Sequence, residues 1–134
     1  LTINCRIIPG ETIESVLDRL RKIVDDERIH IEPSGAAFAS NPSKVSSTDS
    51  FGFKAIQKTA QQIFPKGVIA PALAIVGTDS RHYEDLAKDT YRFMPLQMTL
   101  KDLRRIHGID ERIGIEDYKK LIHFYYLLVQ NSCY

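Results

Sequence analysis

Apolar and polar residues alternate at the start of the chain, with Leu1, Ile3, Cys5 and Ile7 set against Thr2, Asn4 and Arg6, before Pro9-Gly10 breaks the pattern. A period of two predicts a strand with one covered face. The period then lengthens to that of a helix. Glu11, Thr12 and Glu14 occupy its first turn, where carboxylates meet the positive end of the dipole, and Ile13, Val16, Leu17, Leu20, Ile23 and Val24 fall on one buried face. After the charged turn Asp25-Asp26-Glu27, residues 28–32 alternate again as a short strand in which His30 is an exposed residue. Residues 33–50 are rich in Pro, Ser, Gly, Ala and Asn and predict a linker or ordered loop. Thr48, Asp49 and Ser50 offer caps for a helix over 51–64 with Phe53, Ile56, Ala60 and Ile63 on one face, closed by Pro65-Lys66-Gly67. Residues 68–76 are apolar throughout, as in a strand covered on both faces, although Pro71 points to an edge or a break. A short helix capped by Asp79 or Ser80, a strand over 89–96 and a last helix over 116–131, with Tyr118, Leu121, Ile122, Tyr125, Leu128 and Val129 on its inner face, complete an α/β pattern.

Composition narrows the function classes. The 134 residues include 43% hydrophobic positions, enough for a core, and 18 basic against 17 acidic residues leave a net charge of +1. So even a balance supplies no broad field for nucleic acid or anionic lipid, and neither partner is expected. No apolar run reaches the roughly 20 residues that cross a bilayer, so no membrane association is expected. Cys5 and Cys133 have neither metal-clip nor disulfide-framework spacing. The first residue is Leu and the chain opens directly in a strand pattern, from which we expect a piece of a longer protein.

Two clusters carry chemistry. In Gly77-Thr78-Asp79-Ser80-Arg81, a glycine after an apolar run allows close backbone approach, a hydroxyl at a helix start can hold an anion, and an arginine can pair with a carboxylate. An N-cap with a solvent-facing arginine accounts for the same residues more simply. His107 lies in a glycine-containing loop, where a neutral imidazole can ligate zinc or simply bond backbone or solvent. The chain contains no HExxH, CxxC, Gly-x-Ser-x-Gly or phosphate-binding glycine loop.

Taken in order, the clusters resemble the zinc-dependent aminoacylase and carboxypeptidase family, which includes carboxypeptidase G and succinyl-diaminopimelate desuccinylase. In that family a buried strand ends in Gly-Thr-Asp-Ser/Ala-Arg, and a His-Gly-x-Asn/Asp-Glu loop later leads into a long helix. Here the corresponding strings are Gly77-Thr78-Asp79-Ser80-Arg81 and His107-Gly108-Ile109-Asp110-Glu111. Together with Ser47-Thr48-Asp49-Ser50-Phe51-Gly52-Phe53, they look most like the carboxypeptidase S and secreted N-acyl-amino-acid hydrolase branch.

The resemblance implies a mixed three-layer α/β fragment of a metallopeptidase catalytic domain over 51–134. It would be preceded by a strand-helix-strand piece of the lid, or dimerisation, domain over 1–33 and a linker over 34–50. His107 matches a zinc ligand of a two-zinc centre; Gly77, Thr78 and Arg81 match the substrate-lining loop; Asp79 would stabilise that loop, and Asp110 and Glu111 would support His107. The family's other ligands and its general base have no counterpart here, so no catalytic residue is assigned and the chain is expected to be catalytically incomplete and to bind zinc weakly. The parent would take a peptide or N-acyl amino acid. Homodimerisation or strand-swapped self-association is also expected, and the alternative to the enzyme reading is a non-catalytic α/β interaction module.

Overall fold

Helix starts in this chain are written in hydroxyl side chains. The Thr12 hydroxyl accepts from the Ser15 amide at 3.2 Å while the Ser15 hydroxyl accepts from the Thr12 amide at 2.9 Å, a reciprocal cap that opens α1 (Ile13–Val24). Ser50 accepts from the Phe53 amide at 3.1 Å and opens α2 (Phe51–Ile63). Thr99 and Asp102 cap the single turn α3 (Leu100–Leu103), and Gly114 precedes α4 (Ile115–Ser132) without a side-chain cap. A 3-10 helix spans Asp79–Tyr83. These elements come from a computed structural model that describes residues 1–35 and 39–133. Residues 36–38 of the expected linker and Tyr134 lie outside the described residues.

The expected α/β architecture does not form. Among the described residues there is no strand and no sheet, so the three-layer arrangement and the strand-helix-strand piece over 1–33 are both overturned. Alternation specifies which face of a strand would be covered, but the strand itself exists only when another backbone takes up its N–H and C=O groups, whereas a helix satisfies its own. The stretches 1–8, 28–32, 68–76 and 89–96 have no such ladder. Where the last of these stretches meets residues 46–47, side chains stand in for it. The Ser46 hydroxyl accepts from the Thr90 amide at 2.8 Å and donates to the Thr90 carbonyl at 2.9 Å, and the Ser47 amide donates to the Asp89 carboxylate at 2.7 Å. Residues 68–76 are also not covered on two faces, since Val68 is 92% exposed.

The chain divides into two compact units, Leu1–Val45 with Ile75–Lys88 and Ser46–Ala74 with Asp89–Tyr134. In the first, Asn41 accepts from the Ile13 amide at 3.0 Å, Arg21 donates to the Ile31 carbonyl at 3.2 Å, and Arg6 donates to the Ile75 carbonyl at 2.9 Å. Its α1 buries no residue, and Ile23, expected on the inner face, is exposed. In the second, α2 packs on α4. Ala55, Thr59 and Ala60 from α2 and Phe124 from α4 are buried, as is Pro95 of the same unit. No helix among the described residues is long and apolar enough to cross a membrane.

Candidate functional site

Thr78 has extended backbone at φ −141°, and its hydroxyl accepts from the Ser80 amide at 3.3 Å and meets the Ser80 hydroxyl at 2.6 Å. The cap of this short helix is therefore Thr78, where the sequence pointed to Asp79 or Ser80. Asp79 sits in the first turn. Arg81 donates from Nε to Nε2 of His82 at 3.3 Å. Gly77 faces open space: a methyl group built there would meet nothing within 4 Å. The loop presents a hydroxyl pair and a guanidinium on an exposed turn of the first unit, groups suited to an anionic ligand.

The His107 loop belongs to the second unit and is built on charge. α3 ends at Leu103, and Arg105 then ties three parts of the loop together. Its Nη1 reaches Asp102 at 3.1 Å, its Nε lies 3.6 Å from Asp110, and its carbonyl accepts from the Gly108 amide at 2.8 Å. Arg112 closes on the other oxygen of Asp110 at 3.1 Å, and the His107 amide donates to Glu111 at 3.3 Å. At the tip, His107 adopts φ 60°, the left-handed region, which costs a residue with a Cβ about 1–2 kcal/mol. A non-glycine residue held there points to a site that over-determines its backbone. The imidazole is exposed. Around Asp102, the Thr99 hydroxyl and then the Thr99 amide hold the carboxyl below the usual aspartate range, with Arg105 and Arg112 adding to the effect.

Asp110 and Glu111 thus touch the loop they were expected to support, Asp110 through Arg105 and Arg112 and Glu111 through the His107 amide. Gly77, Thr78, Asp79 and Arg81 lie in one unit and His107, Asp110 and Glu111 in the other. Sequence reasoning passed over Asp102 and Thr99 and assigned no role to Arg105. The Thr99-Leu100-Lys101-Asp102 string is the Thr-x-x-Asp signature of a helix start and could have located α3.

No protein-family model and no solved structure matches the chain. Curated proteins do. Over 98% of its length the chain is 41% identical to carboxypeptidase S-like 2 of Dictyostelium discoideum, and over 97% it is 38% identical to an N-fatty-acyl-amino acid synthase/hydrolase of Danio rerio. The relatives it matches over nearly its whole length are carboxypeptidase S-like proteins and N-fatty-acyl-amino acid synthase/hydrolases. A Homo sapiens N-fatty-acyl-amino acid synthase/hydrolase is 35% identical over 98% of the chain. This is the peptidase and amidohydrolase branch to which the order of the two motifs pointed. The chain spans about a quarter of the length of these relatives, at 25% of the first two and 26% of the third.

Proposed function

We propose that this chain is part of a zinc-dependent hydrolase that cleaves a peptide or N-acyl amide bond next to a free carboxylate. In this reading His107 supplies one zinc ligand, Gly77, Thr78 and Arg81 line the substrate site with Arg81 pairing the carboxylate, and Asp79, Asp110 and Glu111 keep the two loops in shape. The observation that carries it is an exposed imidazole held at φ 60° on a charge-braced loop, in a chain with these relatives.

The donor set fits one member of a zinc site and not the whole of it. Imidazole nitrogen suits zinc, but water activation by two metals requires several ligands and a base held together. Among the described residues no three His, Cys, Asp or Glu side chains are grouped so as to hold a metal. On this reading the 134-residue chain holds one ligand and not the rest of the site, and is catalytically incomplete by itself. Calorimetric titration with zinc tests this directly: weak or no binding is expected, and tight stoichiometric binding would overturn the incompleteness. For the longer enzyme, substituting His107 with Ala should lower zinc content and hydrolysis together, and retention of both would remove His107 from the ligand set.

A second reading, self-association through a non-catalytic surface, is favoured by the exposure of Leu1, Val68, Ile75 and Val76. Light scattering over a concentration series separates the two. A mass that rises with concentration supports association, and a constant monomer mass excludes it.

A further inference from the structure

We infer that Arg105 is the positioning residue of the His107 loop, the one side chain that fixes the histidine in its left-handed conformation by holding Asp102 and Asp110 at once. Asp102 belongs to α3 and Asp110 to the return of the loop, so the guanidinium clamps the segment on both sides of His107. The Arg105 carbonyl takes the Gly108 amide at 2.8 Å, which places the turn's closing bond immediately after the histidine. A methyl group at Gly108 would come within 3.0 Å of that same carbonyl, so the turn has no room to relax there. Glu111 contributes a single acceptor to the His107 amide at 3.3 Å, and Arg112 makes direct contact with the far oxygen of Asp110 while acting on Asp102 only through its charge. Neither spans the loop as Arg105 does. Asp102 is itself fixed by Thr99, whose hydroxyl donates to it at 2.6 Å and whose amide donates at 2.8 Å, so the clamp is anchored to a capped helical turn. Arginine is specified because its broad planar cation faces two carboxylates at once, Nη1 hydrogen-bonded to Asp102 and Nε in an ion pair with Asp110 at 3.6 Å; lysine offers one point charge on a flexible stem.

The value of this clamp to the reaction rests on the zinc-ligand role proposed for His107, but its geometry can be read without zinc. In isotopically labelled protein, the backbone coupling and the intraresidue amide-to-α-proton contact of His107 report a positive φ. Arg105→Gln and Arg105→Lys are both expected to abolish that signature while the α2 and α4 amides keep their shifts, and Arg112→Gln to leave it in place. Asp102→Asn, which keeps the side chain's size while removing its charge, should weaken the signature without abolishing it. Should His107 stay left-handed in both Arg105 variants, the inference is overturned whatever zinc does. Loss of the signature in a protein whose His107→Ala variant of the longer enzyme still holds zinc would keep the clamp and discard the ligand role instead.

Discussion

The side-chain amide of Asn131 donates to the hydroxyl of Thr59 at 2.9 Å, joining the last turn of α4 to the middle of α2. Thr59 is fully buried, and its hydroxyl in turn donates to the Ala55 carbonyl at 2.7 Å. Asn131 also donates to Gln62 at 2.9 Å, so one amide nitrogen serves two acceptors on the facing helix.

Replacing Thr59 with Val keeps the shape and removes one of the two acceptors of the Asn131 amide, at a cost of about 0.5–1.5 kcal/mol. The urea midpoint should fall accordingly. Adding Asn131→Leu should bring the total to less than the sum of the two single changes, because the second substitution removes the donor whose acceptor the first already took away. Strict additivity in the double-mutant cycle would show that the contact contributes nothing.

Phe124 gives the sharper test of the helix interface. It is 1% exposed and lies 5.2 Å from the Phe93 ring and 5.5 Å from the Tyr125 ring, centroid to centroid. Truncation to Ala should cost about 3–5 kcal/mol. Tyr118, which the sequence pattern placed on the inner face, is 53% exposed, and its change to Ala should stay within about 0.5 kcal/mol. Comparable losses at the two positions would restore the inner face that the sequence suggested.

That reversal shows where the pattern was informative and where it was not. α4 is apolar on more than one side, so periodicity located the helix to within a residue, 116–131 against Ile115–Ser132, yet could not choose its buried stripe. α2 was equally legible, since Ser50 and Pro65 bracket it with local chemistry. The strands failed together because a strand's hydrogen bonds belong to a second segment that no local signal names. In the site, motif order pointed to these relatives, but the conformation of His107 stayed hidden. A His-Gly pair invites the left-handed turn at glycine, whereas here His107 takes it, under the charges of residues 102–112.

Tyr91 ties the entrance of α2 to the segment after residue 88. Its hydroxyl donates to the Ser47 carbonyl at 2.5 Å and also contacts the Ser50 hydroxyl that caps the helix. Tyr91→Phe should destabilise the second unit by about 1 kcal/mol, with faster amide exchange over 46–53 and little change in α4. Gly52→Ala should perturb the same amides, because a methyl group there would sit 3.2 Å from the Tyr91 ring. Unchanged exchange in Tyr91→Phe would mean that the hydroxyl does not pin the cap.

Acid should dismantle α3 in a defined window. Asp102 is held below the usual aspartate range chiefly by the Thr99 hydroxyl and Thr99 amide, with Arg105 and Arg112 assisting. A carboxylate whose folded value is depressed adds stability that is complete above its unfolded value and is lost as pH falls through the folded one. The Thr99 and Asp102 amide signals should therefore hold steady from neutrality down to the ordinary aspartate range and change only below it, and Asp102→Asn should erase that step. Asp26 offers an internal comparison, since its carboxyl is depressed mainly by the Arg28 guanidinium at 2.7 Å. Salt screens a charge pair more than a hydrogen bond from a neutral hydroxyl. Raising ionic strength should move the Asp26 titration toward the usual range further than that of Asp102. Carbon-detected carboxyl titrations check both, and an Asp102 midpoint at or above the ordinary aspartate range would refute the capping account of its acidity.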